Sequence, residues 1–158
     1  MSSVGRAISG NQYAALPWRW IDDHLEILLI TTLTSKRWVV PKGWPLEGRS
    51  PSECAAQEAF EEAGVVGNTA SKPVGSFDYL KRRKTGDEIA CHVDVFDLEV
   101  ERQRRAWPEK ASRQTCWCTV QDAMARVSDP GLKRLIAKFA KEMSKRALRG
   151  EPFISKAD

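Results

Sequence analysis

The sequence contains no apolar run that approaches the roughly 20 residues needed to cross a membrane. Its first eleven residues lack the apolar core of a secretory signal. No internal repeat and no long linker interrupts the 158 residues. We therefore expect one soluble domain over residues 1–150, followed by a loose tail over 151–158. No membrane partner is expected, and the cytoplasm is the expected location.

Cysteine is scarce, and its spacing excludes a recognisable zinc site. The four cysteines are Cys54, Cys91, Cys116 and Cys118. Cys116 and Cys118 flank one residue in a strand-like pattern, which predicts that both point to the same face. We interpret the four as free thiols that are mostly buried.

Neither charge sign dominates strongly, but basic residues are in slight excess. The formal net charge is +4, and the isoelectric point is near 9.0. This balance favours an anionic partner, and it does not separate nucleic acid from small polyphosphates.

The hydrophobic pattern predicts the order strands, helix, strands, helices, which is an α/β fold with a mixed sheet between helices. Apolar residues at helical spacing after Pro130 predict a final helix with one face in the core. A basic turn over 81–87 joins two of the strands. The predicted strands cover 12–20, 25–33, 37–40, 74–80, 89–100 and 115–118, a loop covers 42–50, and a further helix covers 121–127. The predicted core residues of the last helix are Leu132, Leu135, Ile136, Phe139 and Met143.

The first helix has clear signals at both ends. Ser50 is suited to cap it, Pro51 to occupy its first position, and Glu53 to complete a capping box. Gly64 suits its C-terminal end, where a left-handed backbone is favoured. We therefore expect the segment EAFEEAG to lie at the end of a well-defined helix.

Three carboxylates share one face of this helix. Glu58, Glu61 and Glu62 are spaced i, i+3 and i+4, and they span an arc of roughly 100°. Ala56, Ala59, Phe60 and Ala63 are predicted to form the opposite, buried side. Clustered carboxylates repel one another, and a hard divalent cation such as Mg²⁺ relieves that repulsion. Taken alone, such a segment is more often a solvated acidic face, so its surroundings decide the interpretation.

The stretch from Gly43 to Val65 resembles the Nudix box, G-x5-E-x7-R-E-U-x-E-E-x-G-U, where U is a bulky apolar residue. The residues that match in register are Gly43, Glu58, Glu61, Glu62, Gly64 and Val65. The strand order on both sides is also similar to that family. The resemblance implies a Nudix-type α/β/α sandwich and a hydrolase of diphosphate linkages.

Two positions depart from the box. Arg49 stands where the family has Glu, and Gln57 stands where it has Arg. The resemblance implies that these two positions pair and brace the loop against the helix. Arg49 is able to donate to the Gln57 side-chain oxygen, which would rebuild the brace with the donor reversed. The opposite hypothesis is that the site has decayed.

The resemblance implies a role for each matching residue. Glu58, Glu62 and the Gly43 carbonyl would hold Mg²⁺, with Mn²⁺ as an alternative, and Glu61 would be the general base or the residue that orients the attacking water. Within the family, RWVVPKGW and EEAGVVG look most like the diphosphoinositol polyphosphate phosphohydrolases, which also act on diadenosine polyphosphates. Such substrates are densely anionic and require several cationic groups around them. The candidates for substrate binding are Arg19, Arg37, Lys42, Arg49, Arg82, Arg83, Lys84 and Arg113.

Two alternatives remain open at this point. One is an enzyme that trims the 5′ end of RNA, which would need aromatic stacking platforms near the basic groups. The tryptophans that qualify are Trp18, Trp20, Trp38 and Trp44. The other is a non-catalytic binding module with a Nudix fold, supported only by Arg49 and Gln57. The sequence leaves the oligomeric state and the exact substrate unknown.

Overall fold

The computed structural model describes residues 9–150. It contains eight strands and three helices within this range. The strands are β1 (Ser9–Ile21), β2 (His24–Thr31), β3 (Trp38–Val39), β4 (Lys42–Gly43), β5 (Val65–Thr69), β6 (Gly75–Arg82), β7 (Glu88–Gln103) and β8 (Thr115–Thr119). The helices are α1 (Pro51–Ala63), α2 (Val120–Arg126) and α3 (Pro130–Arg149). The predicted tail over 151–158 lies outside the described residues.

The sheet is mixed, as predicted. Its main path runs β3-β2-β1-β7-β5, while β4 pairs with β1, β6 with β7, and β8 with β2. The pair β1 and β7 is parallel, and the other pairs are antiparallel. Parallel neighbours need a crossover between them, and α1 lies in the connection from β1 to β7.

Two apolar cores lie on opposite faces of the sheet because side chains alternate along each strand. Ala15 on β1 faces a core that also contains the helix residues Ala55, Ala59 and Ala63. Its neighbour Leu16 faces the other core. That second core includes all five residues predicted for the last helix: Leu132, Leu135, Ile136, Phe139 and Met143. The result is the predicted α/β/α sandwich, with α1 on one face and α2 and α3 on the other.

Helix α1 begins and ends where its local signals predicted. Ser50 accepts from the Glu53 backbone N–H, and the Glu53 side chain accepts from the Ser50 N–H. Gly64 has a φ of +74° and its N–H donates to the Phe60 carbonyl. An added Cβ there would overlap the Trp107 ring, so both backbone angle and close packing require glycine.

The structure corrects the predicted buried face of α1. Phe60 and Ala56 are only partly buried, whereas Cys54 and Ala55 are fully buried. Glu62 is also buried, with 6% of its surface exposed. The helix is therefore rotated so that one of its carboxylates points into the protein rather than into solvent.

Two short strands were not predicted. Residues 42–50 were expected to form a loop, but Lys42–Gly43 is a strand that pairs with β1 through Tyr13 and Ala14. Val65–Thr69 forms β5 against β7, with a register shift after Val66. Both strands form because they pair with a strand that is distant in the chain, and a local sequence pattern cannot predict that pairing.

The cysteines follow the prediction. All four are free, and Cys116 and Cys118 face the same side with their Sγ atoms 3.2 Å apart. Burial raises the pKa of the Cys118 thiol to about 12, and the neighbouring Cys116 adds to that rise. Within residues 9–150, no helix is both long and apolar enough to cross a membrane.

Candidate active site

The site forms where the last two turns of α1 meet the short strand β4. Gly43 packs directly against the Glu58 carboxylate, and a Cβ on Gly43 would overlap the carboxylate oxygens. The glycine is therefore required for a close approach between backbone and carboxylate rather than for a positive φ. This contact explains why a box glycine fifteen positions before the glutamate belongs to the same site.

Glu62 is held from two sides. Its Oε1 accepts from the backbone N–H of Lys42 at 3.2 Å, and its Oε2 lies 3.5 Å from the Arg113 guanidinium. The side chains of both Glu62 and Arg113 are largely buried, at 8% and 11% exposed. A buried ion pair fixes geometry strongly because removing one partner leaves an uncompensated charge.

The carboxylates of Glu58 and Glu62 lie close enough to affect each other's ionisation. Burial raises the pKa of Glu62, Arg113 opposes this rise, and the hydrogen bond and charge of Glu58 add to it. Burial likewise raises the pKa of Glu58, the hydrogen bond with Glu62 opposes this rise, and the charges of Glu61 and Glu109 add to it. Two close, poorly solvated carboxylates disfavour double ionisation unless a cation joins them.

Arg113 links three parts of the site. It donates to Glu109 Oε1 at 2.7 Å and to the Thr31 carbonyl at 3.0 Å, besides pairing with Glu62. The Glu109 backbone N–H in turn donates to the Glu61 carbonyl at 3.0 Å. Of the predicted cationic groups, Arg113 therefore lies directly in the carboxylate cluster.

Lys42 lies beside the cluster. Its Nζ is 4.9 Å from the centroid of the Tyr79 ring, and Tyr79 donates to Gln12 Oε1 at 2.7 Å. Burial lowers the pKa of Lys42 to about 8, and the Glu62 charge opposes this shift. The structure thus places a second predicted cationic group next to the acidic one.

The predicted contact between Arg49 and Gln57 is present. Arg49 Nη1 donates to Gln57 Oε1 at 3.4 Å, and Gln57 Nε2 donates to Glu61 Oε2 at 2.6 Å. The first bond is long and exposed, and the second is short. The Gln57 side-chain amide thus connects Arg49 on the loop to the Glu61 carboxylate, and we call this Arg49–Gln57–Glu61 series of hydrogen bonds the relay.

This relay leads to a prediction about coupling. If it braces the loop, the double change Arg49→Glu with Gln57→Arg should retain more activity than either single change. Each single change leaves one member without its complementary partner, while the double change restores the pair found in the family. Turnover of the four proteins in a double-mutant cycle measures the coupling. Strict additivity of the two single effects would contradict the brace.

The donor set is suited to a divalent cation, although it is small. Glu58 and Glu62 contact each other, and Glu58 also contacts the backbone of Gly43. Mg²⁺ takes oxygen ligands and retains several waters. Two carboxylates and a carbonyl therefore suffice when waters and substrate phosphate oxygens supply the other ligands. Glu61 instead accepts from Gln57, and within residues 9–150 no three His, Cys, Asp or Glu side chains gather to hold a metal.

Three predicted substrate-binding residues pair with acidic residues outside the cluster. Arg19 is six residues along β1 from Tyr13, the partner of Gly43, which is roughly 20 Å. It pairs with Glu26 at 2.8 Å and stacks on Trp117. Arg82 and Arg83 lie at the tip of the β6–β7 hairpin, where they pair with Glu88 and Asp87. The basic tip is therefore partly neutralised by its own acidic residues.

The tryptophans are mostly engaged in packing. Trp18 is 1% exposed and donates to Asp97. Trp20 and Trp38 are partly buried against the same core. Trp44 is 41% exposed, directly follows Gly43, and is therefore the one of the four that is available for stacking at the site.

Sequence reasoning missed Tyr79 and Gln12 as neighbours of the site. Gln12 is buried at 3% exposed, which is unusual for an amide and follows from its bond with Tyr79. No local motif marks these residues. The even spacing of Phe77, Tyr79 and Lys81 on β6 indicates only that they share a face.

Comparison with known proteins supports the resemblance. The NUDIX domain family matches residues 13–139, which include α1 and most of the sheet. The chain is 30% identical over 131 residues to Nudix hydrolase 12, mitochondrial, of Arabidopsis thaliana, covering 80% of this chain and 64% of that protein. It is 31% identical over 102 residues to diphosphoinositol polyphosphate phosphohydrolase 3-beta of Bos taurus, covering 63% and 58%. The chain thus spans a little under two thirds of the length of these relatives.

A solved structure shares the fold. The Ap4A hydrolase of C. elegans superimposes with a TM-score of 0.64 at 17% identity, covering 86% of this chain and 99% of that chain. The family match extends over most of the domain and includes the helix that carries the three glutamates. The chain therefore belongs to the Nudix hydrolase family.

Proposed function

We propose that this protein is a divalent-metal-dependent hydrolase of diphosphate linkages. Its substrate would be a small polyphosphorylated molecule such as a diphosphoinositol polyphosphate or a diadenosine polyphosphate. The observation that carries the proposal is the contact of Glu58 and Glu62 beside Gly43, with Lys42 and Arg113 as immediate cationic neighbours. Acidic ligands for a cation and basic groups for phosphate thus lie side by side.

Glu58, Glu62 and the Gly43 carbonyl would hold the cation. When bound, Mg²⁺ or Mn²⁺ neutralises negative charge that develops on the leaving phosphate and lowers the pKa of water. Glu61 accepts the proton of the attacking water, and Gln57 orients its carboxylate through the 2.6 Å bond. The water attacks phosphorus, the bridging P–O bond breaks, and two phosphorylated products leave.

Arg113 and Lys42 have a different task. Arg113 holds Glu62 and Glu109 in place, so it positions the carboxylates. The Lys42 ammonium offers a compact positive charge to a phosphate oxygen and is oriented by the Tyr79 ring. The Lys42 ammonium beside the acidic cluster favours a phosphorylated substrate.

A substrate screen tests the proposal. Purified protein with Mg²⁺ is assayed against diphosphoinositol polyphosphate, dinucleoside polyphosphate, nucleoside triphosphate, nucleotide sugar and triphosphorylated RNA. We expect the highest kcat/KM for one of the first two. A tenfold or greater preference for RNA, about 1.4 kcal/mol in transition-state binding, would favour the RNA-end reaction instead. Binding without turnover of any substrate would favour the non-catalytic module.

The hairpin tip provides a separate prediction about substrate binding. Neutralising Arg82 and Arg83 together to Gln should raise KM for the polyphosphorylated substrates and change kcat less. Exposed charges bind ground state and transition state alike, and salt screens them over about 8–10 Å at physiological ionic strength. Kinetics at two salt concentrations measure the effect. Unchanged constants would mean that Glu88 and Asp87 already satisfy the tip.

A further inference from the structure

The positive charge of the chain is concentrated on one helix. Seven of its 25 basic residues and one of its 21 acidic residues lie in α3. The helix therefore carries a net charge of +6, and the other residues together carry −2. The positive net charge of the whole chain therefore comes from α3, which lies on the sheet face opposite the carboxylate helix α1.

Four of these residues form a row. Arg134, Lys138, Lys141 and Lys145 are spaced i, i+4, i+7 and i+11. At 100° and 1.5 Å per residue, they fall within about 60° of arc and extend over about 16 Å. All four are exposed, and the buried stripe of α3 lies on the other side of the helix. We call this set the α3 row.

The α3 row is not neutralised by the protein. Among residues 9–150, none of its four members has an acidic partner within salt-bridge distance. The single acid of the helix, Glu142, pairs with Arg149 instead. Like charges at i, i+4 repel each other on a helix surface, so this arrangement does not stabilise the helix itself.

The shape of the row restricts its ligand. A compact phosphorylated molecule cannot contact four cations over about 16 Å, whereas a nucleic acid strand carries a phosphate about every 3.4 Å. A membrane-binding helix would insert an apolar face, but the apolar face of α3 is already in the core. Leu148 is the exposed large apolar residue near the row, and it lies beyond its end.

We propose that the α3 row is a binding surface for the phosphodiester backbone of nucleic acid. Its four cations contact successive phosphates without reading base sequence. The surface is independent of the hydrolase reaction proposed above, because it lies on the opposite face of the sheet from Glu58 and Glu62. A strand bound there is a partner and is not thereby the substrate.

The test compares two variants of equal charge. One carries Lys138→Gln, Lys141→Gln and Lys145→Gln. The matched control carries Lys36→Gln, Lys72→Gln and Arg105→Gln, three exposed cations elsewhere. Fluorescence anisotropy measures binding to RNA and to duplex DNA of about 20 residues per strand, which is several times the length that the row spans. Circular dichroism verifies folding, and glutamine retains good helix propensity.

We expect the α3 variant to bind at least roughly tenfold more weakly at about 50 mM salt, and the control to resemble wild type. The slope of log K against log salt should become shallower by about 2 for single strands and nearly 3 for duplex. Hydrolysis of the small substrate should be unchanged. Equal losses in both variants, or wild-type protein that binds phosphatidylserine vesicles in preference to either nucleic acid, would overturn the proposal.

Discussion

Excess EDTA should abolish hydrolysis, and Mg²⁺ or Mn²⁺ should restore it. The physical reason lies in the carboxylate pair: burial raises the pKa of both Glu58 and Glu62, and the neighbouring Glu58 adds to the rise at Glu62. Two carboxylates this close resist double ionisation without a cation, and they repel phosphate. Without the metal, nothing in the pair can therefore bind phosphate oxygens or neutralise a leaving group. The loss should therefore be complete rather than partial.

The matched control for this experiment is EDTA saturated with Mg²⁺, which carries the same chelator and removes no metal. Hydrolysis should be normal in its presence. Isothermal titration calorimetry with Mn²⁺ should show weakened binding for Glu58→Gln and for Glu62→Gln. Full turnover in excess free EDTA would show that the carboxylates act without a metal.

Glu61→Gln should lower kcat by about 10²–10⁴-fold, which is the usual contribution of a general base. This corresponds to about 3–5 kcal/mol in the activation free energy. The amide that replaces the carboxylate keeps its shape and still accepts from Gln57, so the fold and the helix should be unaffected. Binding of Mn²⁺ should be largely retained.

The comparison between Glu61→Gln and Glu62→Gln separates the two roles. Loss of turnover with intact metal binding is expected for the first, and loss of both for the second. Near wild-type turnover of Glu61→Gln would exclude it as the base. Two acids outside the helix, Glu109 and Asp87, would then be the candidates. Glu109 would be tested first, since it contacts Arg113 within the cluster, whereas Asp87 is 64% exposed at the hairpin tip.

The acidic helix was predictable because its determinants are local. Each end of the helix is set by residues within one turn of that end. All of them take the expected roles: Ser50, Pro51 and Glu53 at the start, and Gly64 at the end. The periodicity of α3 likewise predicted its buried residues without reference to any partner. The hydrogen bond between Arg49 and Gln57 was predictable for a similar reason, since two departures from one motif suggested a shared contact.

The surroundings of the helix required the tertiary structure. Arg113 reaches Thr31, 82 positions away in sequence, and no local pattern reports that contact. Arg19 was a reasonable cationic candidate by type, but the register of β1 against β2 carries it to Glu26. Register depends on pairing between distant strands and therefore cannot be read from one segment.

The sequence by itself determined the family, the ends of α1 and the spacing of its three glutamates, since these depend on contacts within a few residues. Tertiary structure decided that Glu62 is buried, that Arg113 reaches it, and that β4 carries Gly43 to Glu58. The physical reason is that burial and ionisation depend on what other elements pack around a side chain, and those elements are distant in the chain.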